Sequence, residues 1–264
     1  VGDTGEIENA RTSVDVLDTQ KLNGKFLHKC VVKSGTLSVG EQVTTKIDVE
    51  KRFAIKRNHS SVHLLQAALK NVLGQHVAQA GSFVSDDRMR FDFSHFAAMT
   101  REELAQVEYA VNQKILENIP VECFERNIKE AKEMGAVALF SEKYGNQVRV
   151  VKMGDFSIEL CGGCHVNRTG DIGLFKIVSE SGVAAGIEGV TGFNVLTLLE
   201  EKEQKLASVA EVLKTTPQEA ANKAVSLTEE LKETKREVEA LKGKMAKNAV
   251  TDVLQDAEEV DGIK

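Results

Sequence analysis

Two clusters of side chains in this sequence have the types and spacing for metal chemistry. His59 and His63 stand four apart in a segment with helical periodicity, so both imidazoles project from one face. Cys161-Gly162-Gly163-Cys164-His165 offers a thiolate and an imidazole, again four apart, after a strand-like run. The two glycines allow the backbone to turn sharply between them. Two His with one or two Cys make a nitrogen and sulfur donor set that favours zinc over hard cations. On spacing alone, a closed zinc site that staples helix to strand is slightly favoured over a catalytic one. His28, His76 and His95 fit better as surface or supporting histidines. Cys30 and Cys123 read as small buried hydrophobes. The glycine-rich run from 182 to 192 lacks a phosphate-loop lysine, so it supports no nucleotide site.

The elements that must carry these residues fall into three stretches. Residues 1–55 read as short strands, among them Ser13–Leu17 and Lys29–Lys33, punctuated by Gly24, Gly35 and Gly40. A small β-barrel is the expected way for so short a β segment to avoid open edges. From Asn58 a helix is predicted on Val62, Leu65, Leu69 and Val72, stopping at Gly74. Thr100 with Glu103 forms a capping-box pattern ahead of the stripe Leu104, Val107, Val111 and Ile115, with Pro120 just beyond. Ile128–Met134 reads as a short helix closed by Gly135. Strands follow at Val137–Phe140, Val148–Val151 and Ser157–Leu160. Helices followed by clustered strands predict an α+β domain over 56–194.

The stretch from 195 to 264 is different. Leu196, Leu199, Leu206, Ala210 and Leu213 recur at three- and four-residue steps if Glu203 fills one slot. After Pro217, Ala220, Ala224, Leu227, Leu231, Thr234, Val238, Leu241 and Met245 continue them. Two helices broken near Pro217 are expected, carrying a coiled-coil-like seam that serves either as an oligomerisation arm or as a tail awaiting a downstream partner.

Composition narrows the function classes. A net charge of −6 argues against sequence-independent nucleic-acid binding, yet allows a local basic groove for one RNA end. No apolar run is long enough to span a membrane, and the start does not resemble a signal peptide. Four unevenly spaced cysteines do not make a disulfide framework, so a reducing, cytoplasmic setting is expected. A first residue of Val rather than Met suggests a fragment or a processed product.

Several motifs together resemble one family. Arg57–Leu65, RNHSSVHLL, looks like the HxxxH motif of the alanyl-tRNA synthetase editing domain. Gly81-Ser82 with Arg90–His95 is similar to that family's GS…RFDFSH stretch, and Glu159–Val166 to its ELCGGTHV motif. Val1–Gly5 and Arg168–Gly173 extend the likeness, so it covers about 1–194 in family order. The tail resembles the helical segment that precedes the synthetase's C-terminal globular region.

The resemblance implies hydrolysis of serine or glycine wrongly esterified to the acceptor end of tRNA(Ala). His59, His63, Cys161 and His165 would then hold Zn2+, and Gln79 would position substrate. Four protein ligands fill a tetrahedral site and leave no room for water. Either Cys161 yields when substrate arrives, or the metal holds the substrate's amino group while the terminal ribose assists the water. Rejecting the alanyl ester needs a partner for the serine hydroxyl, with Gln79, Ser60 and Ser61 as candidates.

Three departures from the family pattern stand out. Val62 replaces a Thr, Cys164 replaces a Thr, and the run Ala185–Val190 lacks an expected basic pair. Competing readings are a free-standing editing protein, the related threonyl-tRNA synthetase editing domain, and a non-catalytic zinc-stabilised RNA-binding or oligomerisation module.

Overall fold

The structure, a computed structural model, describes residues 1–137, 145–181 and 186–255. It divides into two compact units, Val1–Thr197 and Leu198–Lys264.

The first unit begins with a four-stranded antiparallel sheet in the order β3-β2-β1-β4. Its strands are β1 (Gly5–Glu8), β2 (Ser13–Leu22), β3 (Lys25–Ser34) and β4 (Thr44–Ile47). β2 and β3 form a hairpin through Asn23-Gly24, both at positive φ (50° and 77°). That is the conformation a two-residue turn needs to match the twist of its strands. The expected closed barrel does not form among the described residues. Closure would require β3 to pair with β4, but β4 is only four residues long, and the chain passes directly from it into a helix. Ile7, Val14 and Val16 make the sheet's small core.

That helix, α1 (Val49–Leu73), starts nine residues before the expected Asn58. Asp48 caps it by accepting from the Lys51 amide, and the Gly74 amide closes the other end on Lys70. The expected boundary at residue 55 therefore lies inside a continuous helix. α2 (Arg101–Leu116) begins as its sequence signals: Thr100 and Glu103 form both bonds of the capping box, and Val107, Val111 and Ile115 are buried. α1 and α2 pack on each other and on a second antiparallel sheet, ordered β10-β11-β6-β5. Its strands are β5 (Gln79–Val84), β6 (Met89–Phe93), β10 (Phe175–Ser181) and β11 (Gly186–Thr191). Leu64, Leu65 and Leu69 of α1 meet Met89, Phe91, Phe175 and Ile187 in the main core. Val62 packs in this core as well, so its side chain is a hydrophobic filler.

A three-stranded sheet of β7 (Val121–Asn127), β8 (Gln147–Met153) and β9 (Ser157–Leu160) completes the unit, with α3 (Ile128–Glu133) beside it. Val137 pairs with Glu159, whereas the rest of the strand expected at 137–140 lies outside the described residues. Cys123 on β7 and Cys30 on β3 are exposed rather than buried. Both lie on outer strands of their sheets, and neither position faces a second layer. Gly186–Thr191 is a core strand, while 182–185, including Ala185 of the altered run, lies outside the described residues.

Helix α4 (Phe193–Val212) leads into the second unit, which continues through a 3-10 turn at Pro217–Glu219 and α5 (Ala220–Gln255). The break falls where Pro217 predicts it. Leu231, Leu241 and Met245 of the seam are exposed.

Candidate metal centre

Helix α1 supplies two donors. Its turn brings His59 and His63 onto one face, with ring centroids 5.4 Å apart. The other two come from the loop that leaves β9. His165 lies 4.4 Å from the His59 ring and 4.9 Å from that of His63. Cys161 Sγ is 3.4 Å from His59 Nε2. One donor atom from each of the four residues lies within 4.8 Å of all the others, close enough to share one ion.

The outer contacts decide which nitrogens face inward. The His63 Nδ1–H donates to Glu159 Oε2 at 2.6 Å, and both residues are buried. His165 Nδ1 lies 3.4 Å from the Ser60 hydroxyl. With those Nδ1 atoms engaged, Nε2 of His63 and Nε2 of His165 are buried without a hydrogen-bond partner. A buried, unpaired imidazole nitrogen costs free energy unless a ligand satisfies it. Two such atoms aimed at a third imidazole and a thiol are what a nitrogen-sulfur metal site requires, and a carboxylate behind a ligating His is its usual support. The residues present therefore fit a zinc ion.

The loop is held in place by several bonds. Arg149 on β8 donates from Nη1 to the carbonyls of Cys161 (2.9 Å) and Gly163 (2.6 Å), pinning the turn. The Val166 amide donates to Ser60 Oγ, tying the loop's far end to α1. Gly163 has a steric reason: a Cβ there would sit 2.0 Å from His59 Cε1. Its amide also lies 3.5 Å from Cys161 Sγ, where it can donate to the sulfur.

Electrostatics follow from this packing. Burial opposes the charged form of Cys161, but the surrounding imidazoles of His165, His59 and His63 outweigh it and lower the thiol to about 3. Burial likewise disfavours a charged His63, yet Glu159 and the Cys161 thiolate raise it to about 10. For His165, burial together with the neighbouring His63 and His59 outweighs the contact with Cys161 and lowers it to about 4. These surroundings favour the thiolate form that a metal ligand needs.

The cluster opens on one side. A cleft of about 640 Å³ is bordered by His59, Gly162, Gly163 and Cys164, and across from them by residues of the first sheet and of β5. Cys164 is exposed at this mouth and is not among the four donors.

The sequence-predicted substrate residues fall elsewhere. Ser60 is fully buried and holds His165 and Val166, while Ser61, also buried, donates to the Asn58 carbonyl within the helix. Neither hydroxyl reaches the cleft. Gln79, on β5, donates from Nε2 to Ser82 Oγ at 3.0 Å, and Ser82 lines the cleft. Its Oε1 is buried and has no partner. Glu159 and Arg149 were missed as site residues. Glu159 was detectable, since on a strand it shares a face with Cys161 two residues on. Arg149 carried no local signal, because its bonds are to backbone atoms twelve and fourteen residues away.

Comparison with known proteins finds relatives along the whole chain. Residues 148–188, which include the Cys161–His165 loop, match the family described as the threonyl and alanyl tRNA synthetase second additional domain. The whole chain is 52% identical to part of the alanine–tRNA ligase of Acetivibrio thermocellus. It is likewise 48% identical to that of Bacillus subtilis and 50% to that of Listeria monocytogenes. In each case the whole chain is covered, and it spans 30% of the relative's length. Over its whole length the chain is thus a homologue of one part of these alanine–tRNA ligases.

Proposed function

We propose that this chain hydrolyses the ester that links serine or glycine to the 3′ end of alanine tRNA, with zinc held by His59, His63, Cys161 and His165. The observation that carries this reading is the pair of orphaned Nε2 atoms converging with Cys161 and His59 at the end of an open cleft. A staple that only joined helix to strand would have no need of such a cleft. The homology to alanine–tRNA ligases supports the substrate.

His59, His63, Cys161 and His165 would hold the zinc ion, which would supply Lewis acidity and positive charge when bound. The chain's own residues supply position. Glu159 fixes the His63 ring and its tautomer, Ser60 fixes His165, and Arg149 holds the Cys161–Gly163 turn. Of the four donors His59 borders the cleft, Cys161 is half-buried, and His63 and His165 are enclosed. Cys161, less enclosed than His63 and His165, would be the ligand that loosens when substrate enters. Gln79 Oε1 is the candidate acceptor for the serine hydroxyl, reached beside Ser82. The burial and bonding of Ser60 and Ser61 favour Gln79 over either of them for that role.

The surroundings are part of the same reading. The piece would work within a longer ligase in the cytoplasm, and the exposed α5 seam would pair with a second copy. Among the described residues, no helix is long and apolar enough to cross a membrane.

The test is deacylation of seryl-, glycyl- and alanyl-tRNA by the wild-type chain and by Cys161→Ala and Gln79→Ala variants. Seryl and glycyl esters should be cleaved and the alanyl ester spared. Cys161→Ala should be strongly impaired, and Gln79→Ala should lose preference for the seryl ester. Full activity in Cys161→Ala would remove the cysteine from the mechanism, and no cleavage of any ester would overturn the reading.

A further inference from the structure

The cleft beside the metal cluster has a second wall, and its residue types are unlike those of the first. That wall comes from the opening sheet and from β5, and it places two exposed phenylalanines on one cavity: Phe26, 66% exposed, and Phe83, 49% exposed. Exposed aromatic rings in a concave site are poor choices for solubility and good ones for stacking. The Lys21 ammonium stands 5.6 Å from the centroid of the Phe26 ring, joining a cation to that platform. Arg52 lines the same cleft and is paired with Asp3, so two cations face one carboxylate there. The local balance is positive in a chain whose net charge is −6.

We infer that the Phe26, Phe83 and Lys21 wall is the platform on which the single-stranded 3′ nucleotides of the RNA stack, with the terminal ester directed at His59. This inference rests on the editing reading. Aromatic faces with interleaved cations are the general solution for holding unpaired nucleotides. They work without base-specific hydrogen bonds because every base has a π face. A cleft of about 640 Å³ has the size of a small-ligand site, enough for a nucleoside and its ester but not for a duplex. The first sheet, which carries no metal donor, thereby acquires a role. Together with Phe83 of β5 it binds the substrate's nucleotide end, while α1 and the Cys161–His165 loop bind its ester end.

The chain contains no tryptophan, so Phe26→Trp introduces a single reporter on the platform. An RNA oligonucleotide ending in unpaired nucleotides should quench its fluorescence on titration. Phe96→Trp, at an exposed ring outside the cleft, should be quenched far less. The readout needs no catalysis, so it separates failure of the platform from failure of the editing reading. In parallel, Phe26→Leu keeps apolar bulk but removes the ring, and should raise the KM for seryl-tRNA roughly ten-fold with kcat little changed. Phe26→Tyr should restore it. Absent or equal quenching at the two positions, or an unchanged KM in Phe26→Leu, would overturn the platform.

Discussion

The two walls of the cleft are built on opposite principles. Behind the metal donors, α1 packs in a continuous core that includes Leu64, Leu65, Leu69, Met89, Phe91 and Phe175. The first sheet, which forms the opposing wall together with the edge strand β5, has a core of only Ile7, Val14 and Val16, and β3 is exposed along its whole length. Metal ligands must be held to within a few tenths of an ångström, and the four proposed donors sit on the rigid side. A surface that receives a flexible ligand tolerates looser support and keeps its aromatic rings accessible.

This contrast can be broken by mutation. The largest effect is expected from Phe91→Ala, which empties a fully buried site and should cost about 3–5 kcal/mol in chemical denaturation. A loss below about 1 kcal/mol would mean that the core behind α1 is not close-packed. Next comes Glu159→Gln. It keeps the side chain's shape but removes the carboxylate behind His63, and should weaken zinc binding roughly 10–100-fold in a competition titration with a chelator. Unchanged affinity would place Glu159 outside the support of the metal. The smallest effect belongs to the other wall. Val31→Thr on β3, where the side chain is 51% exposed, should alter stability by less than about 0.5 kcal/mol.

The same contrast explains what could be read from the sequence. The α1 and α2 stripes, the Thr100 capping box, β9 and the helix break at Pro217 were legible because local periodicity and capping chemistry specify them. His59, His63, Cys161 and His165 were legible as two i,i+4 pairs, and structure alone added that the pairs meet. Strands β5, β6, β10 and β11 went unread as elements, although Met89-Arg90-Phe91-Asp92-Phe93 alternates as a half-buried strand should. The barrel expectation failed for a non-local reason, since closure depends on which strands reach each other. Ser60 and Ser61 were misjudged because adjacency to a ligand in sequence does not put a helical side chain in the site. Ser60 faces the loop and Ser61 bonds back to its own helix.

The most direct test of the metal centre is zinc content measured together with seryl-tRNA deacylation, before and after chelation, with circular dichroism following the fold. One zinc per chain should be found, activity should vanish on chelation while the helical signal persists, and added zinc should restore it. Undiminished hydrolysis by zinc-free, folded protein would contradict the assignment of His59, His63, Cys161 and His165 as the catalytic metal's ligands.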